Sequence, residues 1–150
     1  MFMKQKPLKA KEVGKLIPGL ELSKKDSVVL REDENRKIIT INKEPYLFYY
    51  EDKLVPTLKL LQTKDLLKKI AVDMGAIKFV VNGADVMRPG ITKIQEGIEK
   101  GEAIVIVDET HQKPLAVGIA LLAAEDMEKA TSGKVIKNIH YVGDDLWKLE

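Results

Sequence analysis

The stretch from Asp73 to Ile91 constrains this chain most, because it fits a helix, a stop, a strand start and a turn into one short run. Asp73 stands in the N-cap position, where its carboxylate can accept a bond from the free N–H groups of the first turn. Ala76, Ile77, Val80 and Val81 recur at helical spacing and form one apolar face, with Lys78 and Asn82 on the opposite side. Gly83 follows as the left-handed residue that ends such a helix. Asp85-Val86-Met87 is too short and too punctuated to be more helix, so it opens a strand. Pro89-Gly90 then makes a turn with Arg88 at its shoulder.

Around this stretch the chain reads as short strands between turns. Met1–Leu22 is basic at first, with Lys4, Lys6, Lys9, Lys11 and Lys15, and a helix is expected around Ala10–Ile17, ended by Pro18-Gly19. Two readings of this opening stand: a solvated helix face or mobile tail, or an arm that touches RNA or a partner. Ser27 to Lys53 is a meander of apolar runs at Val28–Arg31, Lys37–Asn42 and Tyr46–Tyr50, with Pro45 as an interruption. The aromatic run could receive unpaired bases, but such strands more often pack on their own helix. Pro56–Lys69 is expected to be helical, with a rough stripe of Leu58, Leu61, Leu66 and Ile70, and Thr63 capping a second helix.

Further strands are expected at Ile70–Val72, Ile91–Ile94, Ala103–Val107, Leu115–Leu122 and Lys134–Tyr141. Gly118 within one of them marks a bend or a close approach. A short helix at Glu125–Thr131 ends at Gly133. Strands separated by turns, with two short helices, suggest a small barrel whose edges are paired or covered.

Charge and composition narrow the function. Lysine and arginine number 25 against 23 aspartate and glutamate, so whole-molecule charge is no argument for nucleic acid. Any basic surface must come from local clustering. The chain has no cysteine, which removes disulfides, thiolate catalysis and cysteine-type zinc sites. No run approaches the roughly 18–20 apolar residues that a membrane-spanning helix needs, and the basic, proline-broken start lacks a signal-peptide core. A soluble, cytoplasmic protein without a membrane role is the expectation.

No catalytic constellation stands out. His111 falls in the polar loop Asp108–Lys113 and His140 in the last strand pair, and their spacing fits no metal pattern. His140 reads as structural or at a surface edge, with a nucleic-acid or subunit contact as the alternative. Asp144-Asp145 reads as turn-shaping. Gly83-Ala84-Asp85 and Arg88-Pro89-Gly90 lack the Gly-Lys-Ser/Thr of a P-loop. No catalytic residue, metal or cofactor is therefore assigned. The better candidate is a surface. The helix offers Lys78 and Asn82, the turn offers Arg88, and Gly83 and Gly90 permit close backbone approach. Such a patch suits phosphate contacts.

The same residues carry a resemblance. Asp73–Ile91, together with Lys113–Leu149 and its GDDLW ending at Gly143–Trp147, resembles the PUA domain, a small RNA-binding pseudo-barrel. PTLKLL at Pro56–Leu61 and NIHY at Asn138–Tyr141 are similar to the malignant T-cell amplified sequence family and its archaeal single-chain homologues. The resemblance is specific over Pro56–Leu149 and weaker over Met1–Val55. It implies an α+β chain: a small α+β domain over 1–67, then a PUA β pseudo-barrel with two short helices over 68–150. GDDLW would close the last strand, with Trp147 in the core.

The resemblance also implies a non-catalytic RNA-binding protein acting in translation with tRNA or rRNA of the small ribosomal subunit, in initiation, reinitiation or recycling. RNA contacts would fall on Lys78, Asn82, Gly83, Arg88, Pro89, Gly90 and Lys93, with Lys137 and His140 as second contacts. Two rivals stand beside it. One is a protein-interaction module whose partner docks on the N-terminal domain, a reading that an exposed apolar patch on Ser27–Tyr50 would support. The other is an accessory subunit of an RNA-modification complex.

Overall fold

The computed structural model describes residues 4–149. The first three residues of the basic opening, and Glu150 at the end of the second expected domain, lie outside them. The chain divides into two compact units, one running to Leu66 and including Leu149, the other spanning Leu67–Lys148.

The first unit is a five-stranded antiparallel meander in chain order: β1 (Lys4–Leu8), β2 (Val28–Glu32), β3 (Lys37–Ile41), β4 (Glu44–Tyr50) and β5 (Lys53–Pro56). Helix α1 (Ala10–Gly14) follows β1, and α2 (Leu58–Leu61) follows β5. β3 and β4 are joined by Asn42-Lys43, both at positive φ, as a tight hairpin of right-handed twist requires. Val13, Ile17 and Leu20 cover Val28, Ile39, Ile41 and Leu47, and Leu60 of α2 joins the same core. Leu47 and Phe48 are buried and Tyr49 packs on that core, so the aromatic strand is packing material.

Three expectations change here. Lys4–Leu8 is neither helix face nor tail but an edge strand paired to β2. Its lysines and Pro7 masked it, and an edge is where a sheet tolerates proline. Pro45 lies inside β4 opposite Thr40, where the register slips between Ile39 and Thr40 and the missing N–H is accommodated. In Pro56–Lys69 the α-helix is limited to Leu58–Leu61, capped by Thr57. The Thr63 hydroxyl donates to Leu60 O at 2.9 Å and closes that helix rather than starting another. Gln62 to Asp65 are all exposed, so no apolar face holds a second helix.

The second unit contains β6 (Lys69–Val72), α3 (Met74–Val80), β7 (Val86–Met87), a 3-10 turn (Arg88–Gly90), β8 (Ile91–Ile94), β9 (Ala103–Asp108), β10 (Pro114–Ala120), α4 (Ala124–Lys129) and β11 (Lys134–Tyr141). The sheet order is β7-β11-β10-β9-β6-β8, with β6 and β9 parallel. The two edge strands are consecutive in sequence. Met87 to Ile91 reaches at most about 14 Å, whereas six flat strands would set the edges roughly 24 Å apart. The sheet must therefore curl into a nearly closed barrel, the pseudo-barrel expected.

Its interior holds Ile70, Val72, Ile104, Ile106, Ala116 and Ile136, with Met127 of α4 beneath. Every residue of β9 is buried, which explains its unbroken apolar run. Gly118 marks a close approach: a Cβ there would collide with Ile136 Cγ2 and lie 2.9 Å from Lys137 O. Gly143–Trp147 is a turn rather than a last strand, and Trp147 is half-buried at its end rather than in the core.

Candidate nucleic-acid interface

Helix α3 is fixed at both ends. Asp73 Oδ1 accepts from Ala76 N at 2.9 Å, and Asp73 N donates to Gly90 O at 3.0 Å, which ties the helix start to the 3-10 turn. Val80 is buried, while Ala76, Ile77 and Val81 rest on the barrel core. The opposite side offers Lys78, exposed, with its Nζ 5.1 Å from the centroid of the Phe79 ring. At the exit Gly83 takes φ +92, and a Cβ there would sit 2.9 Å from Tyr141 Cε1. Both the backbone angle and the space demand glycine.

The loop after α3 is pinned to β11. Asn138 Nδ2 donates to Val80 O at 3.0 Å and Ala84 O at 3.1 Å, taking up carbonyls at the helix end. Asn138 N donates to Asp85 Oδ1 at 2.8 Å, and Lys134 Nζ reaches Asp85 Oδ2 at 2.9 Å. Burial works against the Asp85 charge. The Lys134 and Asn138 hydrogen bonds and the nearby Lys134 and Lys137 charges outweigh it and hold this carboxyl below its ordinary value. Lys134 is thereby neutralised, while Lys137 remains exposed on the same strand.

The expected site residues part into two groups. Lys78, Asn82, Pro89, Lys93 and Lys137 are exposed, and Gly83 and Gly90 lie half-buried beneath them. Asn82 also donates from Nδ2 to Lys78 O at 2.9 Å, closing the last turn of α3. Arg88 and His140 are different. Arg88 Nε donates to Met127 O at 2.6 Å and Nη1 to Ile91 O at 3.3 Å, so the guanidinium clamps α4 to the start of β8. His140 is 1% exposed, and its Nδ1 lies 2.9 Å from Asp144 Oδ2, which removes its side chain from any surface. Asp144 also accepts from Tyr141 N and Trp147 N, so it does shape its turn. His111 is an exposed loop residue. Among the described residues, no three of His, Asp and Glu gather in a metal-binding cluster, and no helix is long and apolar enough to cross a membrane.

The sequence reading missed exposed apolar side chains. Met74 and Phe79 of α3 are each 57% exposed and Met87 of β7 is 50% exposed. For Phe79 the available signal was its position off the stripe formed by Ala76, Ile77, Val80 and Val81. An apolar patch on Ser27–Tyr50, which would have supported a partner there, is not seen: among the described residues, no large hydrophobic side chain is exposed in that segment.

Comparison with known proteins covers nearly all of the chain. Residues 68–142 match the PUA domain, and residues 1–64 match a domain of unknown function, DUF1947. An uncharacterised protein of Methanocaldococcus jannaschii is 44% identical, over 95% of this chain and 94% of its own. Translation machinery-associated protein 20 of Schizosaccharomyces pombe is 33% identical over 91% and 76%. Malignant T-cell-amplified sequence 1 of Rattus norvegicus is 38% identical over 89% and 80%. The crystal structure of a hypothetical protein from Pyrococcus horikoshii superimposes with a TM-score of 0.83 at 34% identity, covering 97% of this chain and 98% of that one.

Proposed function

The chain belongs to the PUA-domain family of malignant T-cell-amplified sequence and translation machinery-associated 20 proteins, and from that membership we propose a non-catalytic RNA-binding protein that acts at the small ribosomal subunit or on tRNA. Its place is the cytoplasm, with the translation machinery. The observation that carries the reading is the outer side of α3: an exposed lysine beside an exposed aromatic ring, on a helix held rigidly at both ends. Lysine supplies charge for phosphates, and the ring supplies a face for an unpaired base.

The contact residues are Lys78, Asn82, Pro89, Lys93 and Lys137, with the backbone at Gly83 and Gly90 close to the RNA. Double-helical or tRNA-like RNA is held by shape and backbone, with little sequence code. The PUA domain occupies 68–150, and 1–67 precedes it as a separate small domain. A protein-interaction module is the second reading, favoured by the exposure of Met74, Phe79 and Met87. Co-sedimentation with purified small ribosomal subunits decides between them. The RNA reading expects the wild-type chain to pellet with subunits and Lys78→Gln/Lys137→Gln to stay in the supernatant. Equal pelleting of both would refute this surface.

A further inference from the structure

We propose that the first unit carries a second RNA-anchoring surface, formed by Lys4 and Lys6 of β1 and by Lys9, Lys11 and Lys15 around α1, which holds phosphates by charge. The inference rests on the RNA-binding reading and adds a separate attachment point to it. It begins from an uneven division of charge. Residues 1–66 contain 14 Lys and Arg against 10 Asp and Glu, whereas 67–148 contain 11 against 12. The nearly neutral total hides a basic first unit. From Lys4 to Lys15 the only acid is Glu12.

The local structure leaves these cations free. All five lysines are exposed, and among the described residues none of their ammonium groups has an ion pair or hydrogen bond. Several cations of the second unit are already engaged: Lys68 with Glu102, Lys134 with Asp85, and Arg88 with two backbone carbonyls. β1 is an edge strand whose first four residues are exposed, so both of its faces meet solvent there. Lys4 and Lys6 point to the same face about 7 Å apart. In α1, Ala10, Val13 and Ile17 turn to the core. Lys11 and Lys15 share one flank at i, i+4, and Glu12, three residues before Lys15, makes no ion pair with it.

Lysines on an edge strand also discourage pairing with other chains. That role would be met by β1 alone and gives no reason for the same charge to continue along α1. A run of free ammonium groups on two consecutive elements matches a phosphate backbone, which lysine meets as a point charge without reading bases.

The test uses the full chain with Lys4→Gln, Lys6→Gln, Lys11→Gln and Lys15→Gln combined, and labelled bulk tRNA as the probe. Anisotropy is followed across a salt series, with far-UV circular dichroism confirming the fold. Losing four phosphate contacts should flatten the slope of log affinity against log salt by about 3 and weaken binding at 0.1 M salt roughly a hundred-fold or more. A wild-type slope in this variant overturns the proposal. If Lys78→Gln/Lys137→Gln loses tRNA in the same assay, the RNA reading survives and only this surface falls. If the wild-type chain binds no tRNA and no subunits, the RNA reading itself fails.

Discussion

Replacing Arg88 by alanine separates a structural residue from a binding one. The guanidinium donates to Met127 O at 2.6 Å and to Ile91 O at 3.3 Å, while Arg88 N donates to Gly133 O at 2.8 Å. The backbone bond survives the substitution and the side-chain bonds do not. Met127 O lies in the last turn of α4, where its backbone donor, Ala130 N, is a long 3.3 Å away, and Met127 itself is fully buried. A hydrogen bond from a charged donor contributes about 1.5–3 kcal/mol. The longer bond to Ile91 O adds little, so the expected loss is about 2 kcal/mol overall. Urea denaturation should show it as a lower midpoint with an unchanged slope. Because the clamp joins the turn between the edge strands to α4, Arg88→Lys should not rescue: a single ammonium cannot span both carbonyls as the planar fork does. Stability within about 0.5 kcal/mol of wild type, the range of a neutral surface change, together with weakened RNA binding, would refute this account and return Arg88 to the RNA surface.

Other consequences are equally direct. Gly118→Ala forces a methyl group against Ile136 Cγ2 and Lys137 O, so it should cost about 1–3 kcal/mol or more by overpacking, read as a lower melting temperature. The Asp144 carboxyl is half-buried, which opposes its charge, but hydrogen bonding and attraction from His140 and the N–H groups of Trp147 and Tyr141 outweigh this and hold its pKa below the ordinary carboxylate value. A carboxyl depressed in the folded state stabilises above its unfolded value and loses that contribution as pH falls through the folded one. Asp144→Asn should therefore lower stability at pH 7 and lessen its further loss below about pH 4, measured by urea midpoints across pH. Phe79→Ala exposes no core and should leave the midpoint unchanged while weakening single-stranded RNA roughly five- to a hundred-fold, since base stacking contributes about 1–3 kcal/mol.

Much of the barrel was legible because local signals agreed with the fold. The Asp73 cap, the α3 stripe, Gly83 and the run at Ala103–Val107 each had one physical solution, and each adopts it. Misreadings arose where tertiary partners decide. β1 reads as a tail because an edge strand needs no apolar alternation, and its pairing to β2 supplies the structure. Leu66 and Ile70 continue a helical stripe on paper, but Ile70 belongs to a strand between β8 and β9. The outward placement of Lys78 was legible from the α3 stripe, and the side chain is exposed. The clamp made by Arg88 was not legible, because its acceptor Met127 lies 39 residues away. His140 was hidden by a register shift between Val117 and Gly118 opposite β11, and by its burial beside Asp144.

The central claim, RNA held on the α3 side of the barrel, is tested most directly by tRNA anisotropy on the full chain from 50 to 300 mM salt. Wild type is compared with Lys78→Glu/Lys137→Glu, which leaves Arg88 and its clamp intact. Both lysines are exposed, so the fold should persist. The account predicts affinity that falls steeply with salt for wild type, and a variant that binds far more weakly with a slope flatter by about 1.5–2. Equal affinity and equal slope in the two proteins would contradict it.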